Sequence, residues 1–113
     1  MKDQYIIWGS GVFAIRGLRK ANDIDIIVNK ECWNKLIKKY PPHGEKVNLI
    51  KMNDIEIWND CMNLTEQIDQ MIKDKDVIEG YPFMKLKYTI VWKKFLNREK
   101  DQKDIALLEK LLK

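Results

Sequence analysis

The chain is poor in the residues that mark several functional classes. Its 113 residues include only two cysteines, Cys32 and Cys61, too few and too far apart for a disulfide framework or a zinc site. The single histidine, His43, sits in Tyr40-Pro41-Pro42-His43-Gly44, where it reads as a solvated turn residue rather than a catalytic base. That leaves Ser10 with no histidine to activate it as a nucleophile. No hydrophobic run is long enough to span a bilayer, and the short run Ile6-Ile7-Trp8 lacks the length of a signal-peptide core. A protein of the reducing cytoplasm, without a membrane partner, is the expectation. There are no repeats, low-complexity tracts or linkers, so residues 1–113 are read as one domain.

What is present is charge in particular places. The net charge of +4 is modest, but from Lys85 to Lys113 nine Lys or Arg face four Asp or Glu. This segment either binds a polyanion such as a triphosphate or RNA, or forms the solvated side of two amphipathic helices.

Strands are expected over Tyr5–Trp8 and Asp23–Val28, with a short helix from Val12 to about Leu18 between them. Asn29 is placed to cap a helix of about ten residues, with Trp33, Ile37 and Tyr40 on one side and Pro41-Pro42 at its end. Val47–Met52 and Ile55–Trp58 read as a hairpin turning at Asn53-Asp54. Leu64–Ile72 reads as a short helix, and Val77–Tyr81 as an extended piece closing at Gly80. Beyond it, Met84, Tyr88, Val91, Trp92 and Phe95 share a helical face; Asn97 is taken to cap a last helix with Ile105, Leu108, Leu111 and Leu112 inward. The fold class is therefore α/β or α+β, a mixed sheet flanked by helices.

The chemistry concentrates in Gly9-Ser10, Asp23-Ile24-Asp25 and Ile55-Glu56-Ile57. Acids at i and i+2 of a strand point to one face, about 6.6 Å apart, a spacing suited to a pair of divalent cations. Glu56, between two isoleucines, faces the opposite way from them and becomes the third acid if its strand neighbours the first. It would then serve as ligand and as general base for an attacking hydroxyl. The Gly9-Ser10 turn offers backbone N–H groups and a hydroxyl to a phosphate. Each triplet alone is as compatible with the solvated side of an amphipathic strand; the three in this order are more specific. The four tryptophans read mainly as packing residues, with one available to stack at a pocket rim.

These residues resemble the nucleotidyltransferase superfamily, with its DNA polymerase β-like fold, and within it the AbiEii-like and minimal nucleotidyltransferases. Arg19 stands four residues before Asp23, where that branch usually has an arginine, and Arg98-Glu99-Lys100-Asp101-Gln102-Lys103-Asp104 is similar to its Arg-x-Lys-Asp-x-x-Asp signature. The resemblance implies Mg²⁺ (or Mn²⁺) on Asp23, Asp25 and Glu56, and an NTP cradled by Gly9 and Ser10. It also implies Arg19, Arg98 and Lys100 on the phosphate side, and Lys93 (with Lys94 or Lys87 as alternatives) balancing charge on the leaving pyrophosphate. Asp101 and Asp104, at a helix N-terminus, suit the dipole and are placed to orient Arg98 or Lys100 by ion pairing. Transfer of an NMP to a hydroxyl or phosphate of RNA, protein or a small molecule is the implied activity, and a toxin–antitoxin or phage-defence system, with a partner protein, the implied setting. Two other classes remain: a non-catalytic binding module or antitoxin-like partner on the same fold, with a basic face for RNA, and, less favoured because it needs no triphosphate cradle, a metal-dependent nuclease.

Overall fold

The computed structural model describes residues 3–21, 23–42 and 48–112. Asn22, His43 and Val47 lie outside the described residues, so the placing of His43 and the start of the Val47–Met52 strand are not addressed. The strands are β1 (Tyr5–Trp8), β2 (Ile24–Val28), β3 (Leu49–Met52), β4 (Ile55–Trp58), β5 (Asp76–Ile78) and β6 (Tyr81–Phe83). The helices are α1 (Ser10–Ala14), α2 (Lys30–Ile37), α3 (Ile68–Lys73), α4 (Leu86–Leu96) and α5 (Glu99–Leu111), with a 3-10 turn at Met62–Gln67 leading into α3. One mixed sheet runs in the order β3-β4-β2-β1-β6-β5. β2 is antiparallel to β1 and parallel to β4, and β6 joins the other side of β1 in parallel.

Alternation along the strands sorts the core into two layers. Ile6, Trp8 and Ile27 pack against Val12, Phe13, Leu64, Met71, Tyr88 and Leu108, so α1, α3, α4 and α5 cover one face. Ile26, Val28, Ile50 and Ile57 on the other face meet Cys32 and Trp33 of α2. Each fully buried Ile, Leu or Phe removes enough apolar surface to favour folding by roughly 1.5–3 kcal/mol. Among the described residues no helix is long and apolar enough to cross a membrane.

Local chemistry explains the boundaries. Asn29 caps α2 as expected, its side chain accepting from the Cys32 N–H at 2.9 Å. On α2 it is Leu36 rather than Ile37 that joins Trp33 and Tyr40 in the core. α1 begins two residues earlier than expected and ends at Ala14, because Gly9 (φ +67°) turns the chain sharply at Ser10. The piece expected to be a single extended segment at Val77–Tyr81 is instead a tight hairpin. Glu79 (φ +53°) and Gly80 (φ +85°) are both left-handed, the two-residue turn that matches strand twist.

Three expectations in the C-terminal half need correction. Leu111 and Leu112, expected inward with Ile105 and Leu108, are 44% and 57% exposed at the end of the chain's last helix. Asn97 is left-handed (φ +49°) and closes α4, its N–H donating to Lys93 O at 2.9 Å. The N-cap of α5 is Arg98, whose backbone N–H donates to the Asp101 carboxylate. The inner face of α4 is Leu86, Tyr88, Thr89, Ile90 and Lys93, while Val91 and Phe95 are 46% and 60% exposed. The face is rotated because Lys93 is drawn inward by two acids of α5.

Candidate functional site

Strand register builds one row of side chains across four strands. Trp8 pairs with Asp25, Asp25 with Glu56, and Glu56 with Lys51. The next row on the same face is Ile6, Ile27, Trp58 and Leu49. Asp25 and Glu56 thus stand side by side, as the Ile-Glu-Ile pattern requires once β4 neighbours β2. Asp23 lies in the bend just before β2 rather than in the strand. Among the described residues no group of three His, Cys, Asp or Glu side chains is gathered closely enough to hold a metal ion; strand register joins Asp25 to Glu56, and Asp23 is near enough for its charge to act on Asp25.

The pair is electrostatically tense. Burial pushes the Asp25 carboxyl up to about 6; the Trp58 indole opposes this by donating to Oδ1 at 3.2 Å, and the neighbouring Glu56 and Asp23 charges add to the rise. Lys51 Nζ approaches Glu56 at 3.9 Å from the edge strand. Gly9 is needed here for two reasons, its positive φ and a near contact in which a Cβ would stand 3.1 Å from Asp25 Oδ2.

Above the row is a cleft of about 230 Å³, lined by Trp8, Gly9, Asp25, Glu56, Trp58, Asp60, Met62 and Trp92. Trp8 contacts Trp58 edge-on at 6.3 Å and Trp92 at a tilt at 4.7 Å, so three of the four tryptophans meet here. Their spread along the sequence hid this grouping; the one signal was Trp58, two residues from Glu56 on the same strand face. Larger depressions lie elsewhere: a polar one of about 450 Å³ beside Asn29, Asn59 and Glu66, and an apolar one of about 500 Å³ on the opposite sheet face around Ile24 and Phe83. Neither contains the paired acids.

Three of the basic residues expected at the phosphates, Arg19, Lys93 and Arg98, lie beside carboxylates. Lys93 is buried, its ammonium 3.3 Å from Asp101 and 3.2 Å from Asp104. Arg19 pairs with Asp104, and Arg98 Nε donates to Asp101 at 2.6 Å. Arg19 lies 4.3 Å and Lys93 5.7 Å from the centre of the Phe13 ring, tying α1 to the α4–α5 pair. The Arg98 guanidinium holds the Asp101 carboxyl down at about 2. Lys100 is exposed and, with Arg98, Glu99 and Lys103, lines a separate shallow depression. The structure therefore brings Gly9, Asp25 and Glu56 together and sets Arg19, Lys93 and Arg98 in an ionic clamp. Ser10 opens α1 beside Gly9 and is half-buried.

No family model, curated protein or solved structure matches this chain.

Proposed function

We propose that the chain is a divalent-metal-dependent nucleotidyltransferase, on a nucleotidyltransferase-like fold, that moves an NMP from an NTP to a hydroxyl or phosphate acceptor. The observation that carries this reading is the pairing of Asp25 with Glu56 on adjacent parallel strands, next to the Gly9-Ser10 turn. The pair suits a cation: Asp25 is half-buried and already burdened by a neighbouring negative charge, which Mg²⁺ or Mn²⁺ relieves. Asp25 and Glu56 would hold the ion, with Asp23 next to hand. Such an ion, when bound, supplies charge neutralisation and polarisation to a transferring phosphoryl group. Trp58 orients Asp25 through its hydrogen bond, and Gly9 lets the chain pass close to that carboxylate. At 230 Å³ the cleft admits only part of a nucleotide, so base and sugar would extend beyond its rim. RNA or protein as acceptor, a cytoplasmic toxin–antitoxin or phage-defence role and a partner protein belong to the same proposal, by analogy.

A second reading, a non-catalytic binding module, is favoured by the ionic clamp, since Arg19 and Lys93 already have carboxylate partners. Incubation with each labelled NTP, Mg²⁺ or Mn²⁺, and total RNA and protein separates the two. Transfer of label that is lost in Asp25→Asn and Glu56→Gln, with folding intact, supports the enzyme. No turnover in the parent protein overturns it.

A further inference from the structure

The cleft above the Asp25–Glu56 pair has an unusual wall. Its lining combines three carboxylates, Asp25, Glu56 and Asp60, with three indoles, Trp8, Trp58 and Trp92, and contains no cationic side chain. Aromatic faces and carboxylates attract the same kind of ligand, a desolvated positive charge. Both wall components already engage ammonium groups from within the chain. Lys93 Nζ lies 4.8 Å from the centre of the Trp92 ring, and Lys51 Nζ lies 3.9 Å from Glu56. Lys93 shares Asp101 and Asp104 with Arg19 and Arg98, so its charge is screened rather than cancelled, and the three carboxylates of the cleft outnumber it. Lys51 has a side chain 42% exposed and leaves Glu56 readily.

Two further features shape the ligand. Asp60 is pinned by the Thr65 hydroxyl, which donates to Oδ1 at 2.6 Å. The volume of about 230 Å³ suits a small molecule or the end of a longer one.

We propose that this cleft binds a small organic ammonium ion, its cationic head against Trp58 and Trp92 and beside the carboxylate of Asp60, within the field of the Asp25–Glu56 pair. In the transferase reading, and only there, a hydroxyl on such a molecule is the acceptor, reaching toward the paired acids while the cationic head stays against the indoles and Asp60. Binding itself does not depend on that reading, because it is measured with neither nucleotide nor metal present.

The test is a tryptophan-fluorescence titration of the intact protein with choline and with its uncharged isostere, in which carbon replaces the nitrogen. Saturable binding of choline, at least about tenfold tighter than the isostere, is expected, because the cation–aromatic and carboxylate attractions act only on the charged form. Trp92→Leu and Asp60→Asn, each confirmed folded by its thermal melt, are expected to weaken choline about tenfold and to leave the isostere nearly unchanged. If Trp92→Leu does not fold, Asp60→Asn and the choline–isostere comparison carry the test. Equal responses to the two compounds, no saturable response to choline, or unchanged choline binding in the folded variants overturns the proposal. A protein that binds choline yet transfers no nucleotide keeps this inference and loses the transferase reading; the reverse result does the opposite.

Discussion

Asp25 and Glu56 are register partners on parallel neighbouring strands, with the Trp58 indole donating to Asp25 from the next row. Two like charges on one rung of a sheet destabilise it unless a proton or a cation comes between them. The cost is concentrated on Asp25, the member whose carboxyl burial has pushed up to about 6.

Stability should therefore depend on pH through Asp25. Its folded-state value lies above the ordinary 3.8, so the proton is held more tightly when folded. The resulting stabilisation is full below about pH 3.8 and is lost as pH rises through about 6. Asp25→Asn should accordingly raise stability near neutral pH by roughly 1–2 kcal/mol, once solvent screening of this half-buried group is allowed for. Below about pH 4 it should change little. Denaturant melts of both proteins across this range check the sign; a difference independent of pH would contradict the assignment.

The ionic clamp leads to a different expectation for Lys93. Asp101 is fully buried and Asp104 nearly so, and Lys93 serves both. Lys93→Met leaves these acids short of a partner and should cost roughly 3–5 kcal/mol, as should Asp101→Ala. Asp101, held down at about 2, contributes stability that is full above about pH 3.8 and fades as pH falls toward 2. Chemical denaturation of Lys93→Met measures the loss. Unchanged stability with impaired nucleotide binding would instead return Lys93 to the phosphate role.

Gly9 has both a left-handed backbone and a carboxylate against its Cα. Gly9→Ala should destabilise by roughly 1–3 kcal/mol through backbone strain and should displace Asp25. Gly17→Ala, also at positive φ (+71°) but with nothing within 4 Å, isolates the backbone component. Comparing the two in thermal melts measures the contact; equal losses would mean that the approach to Asp25 is of no consequence.

Much of the fold was legible because strand periodicity is local. Ile55-Glu56-Ile57 and Ile24 to Val28 each declare which side chains share a face, and the Asn29 cap is a short-range hydrogen bond. Of the clamp, the pairing of Arg98 with Asp101 was legible in the local motif, and the part played by Lys93 was not. Lys93 meets Asp101 and Asp104 only because α4 turns back at Asn97 onto α5, and the motif alone does not say whether its cations face acids or a ligand. Likewise, Trp8 and Trp92 come together only when α4 packs on the sheet. The Glu79-Gly80 hairpin was missed because glutamate rarely adopts the left-handed conformation that this turn requires.

The most direct measurement is a Mn²⁺ titration followed through the indole N–H resonances, because Trp58 donates straight to Asp25. The account predicts paramagnetic broadening of the Trp8, Trp58 and Trp92 signals ahead of Trp33 at low Mn²⁺, reversed by excess Mg²⁺ and absent in Asp25→Asn/Glu56→Gln. Broadening that survives this double substitution, or none at the Trp58 signal, would mean that the paired acids are not a metal site.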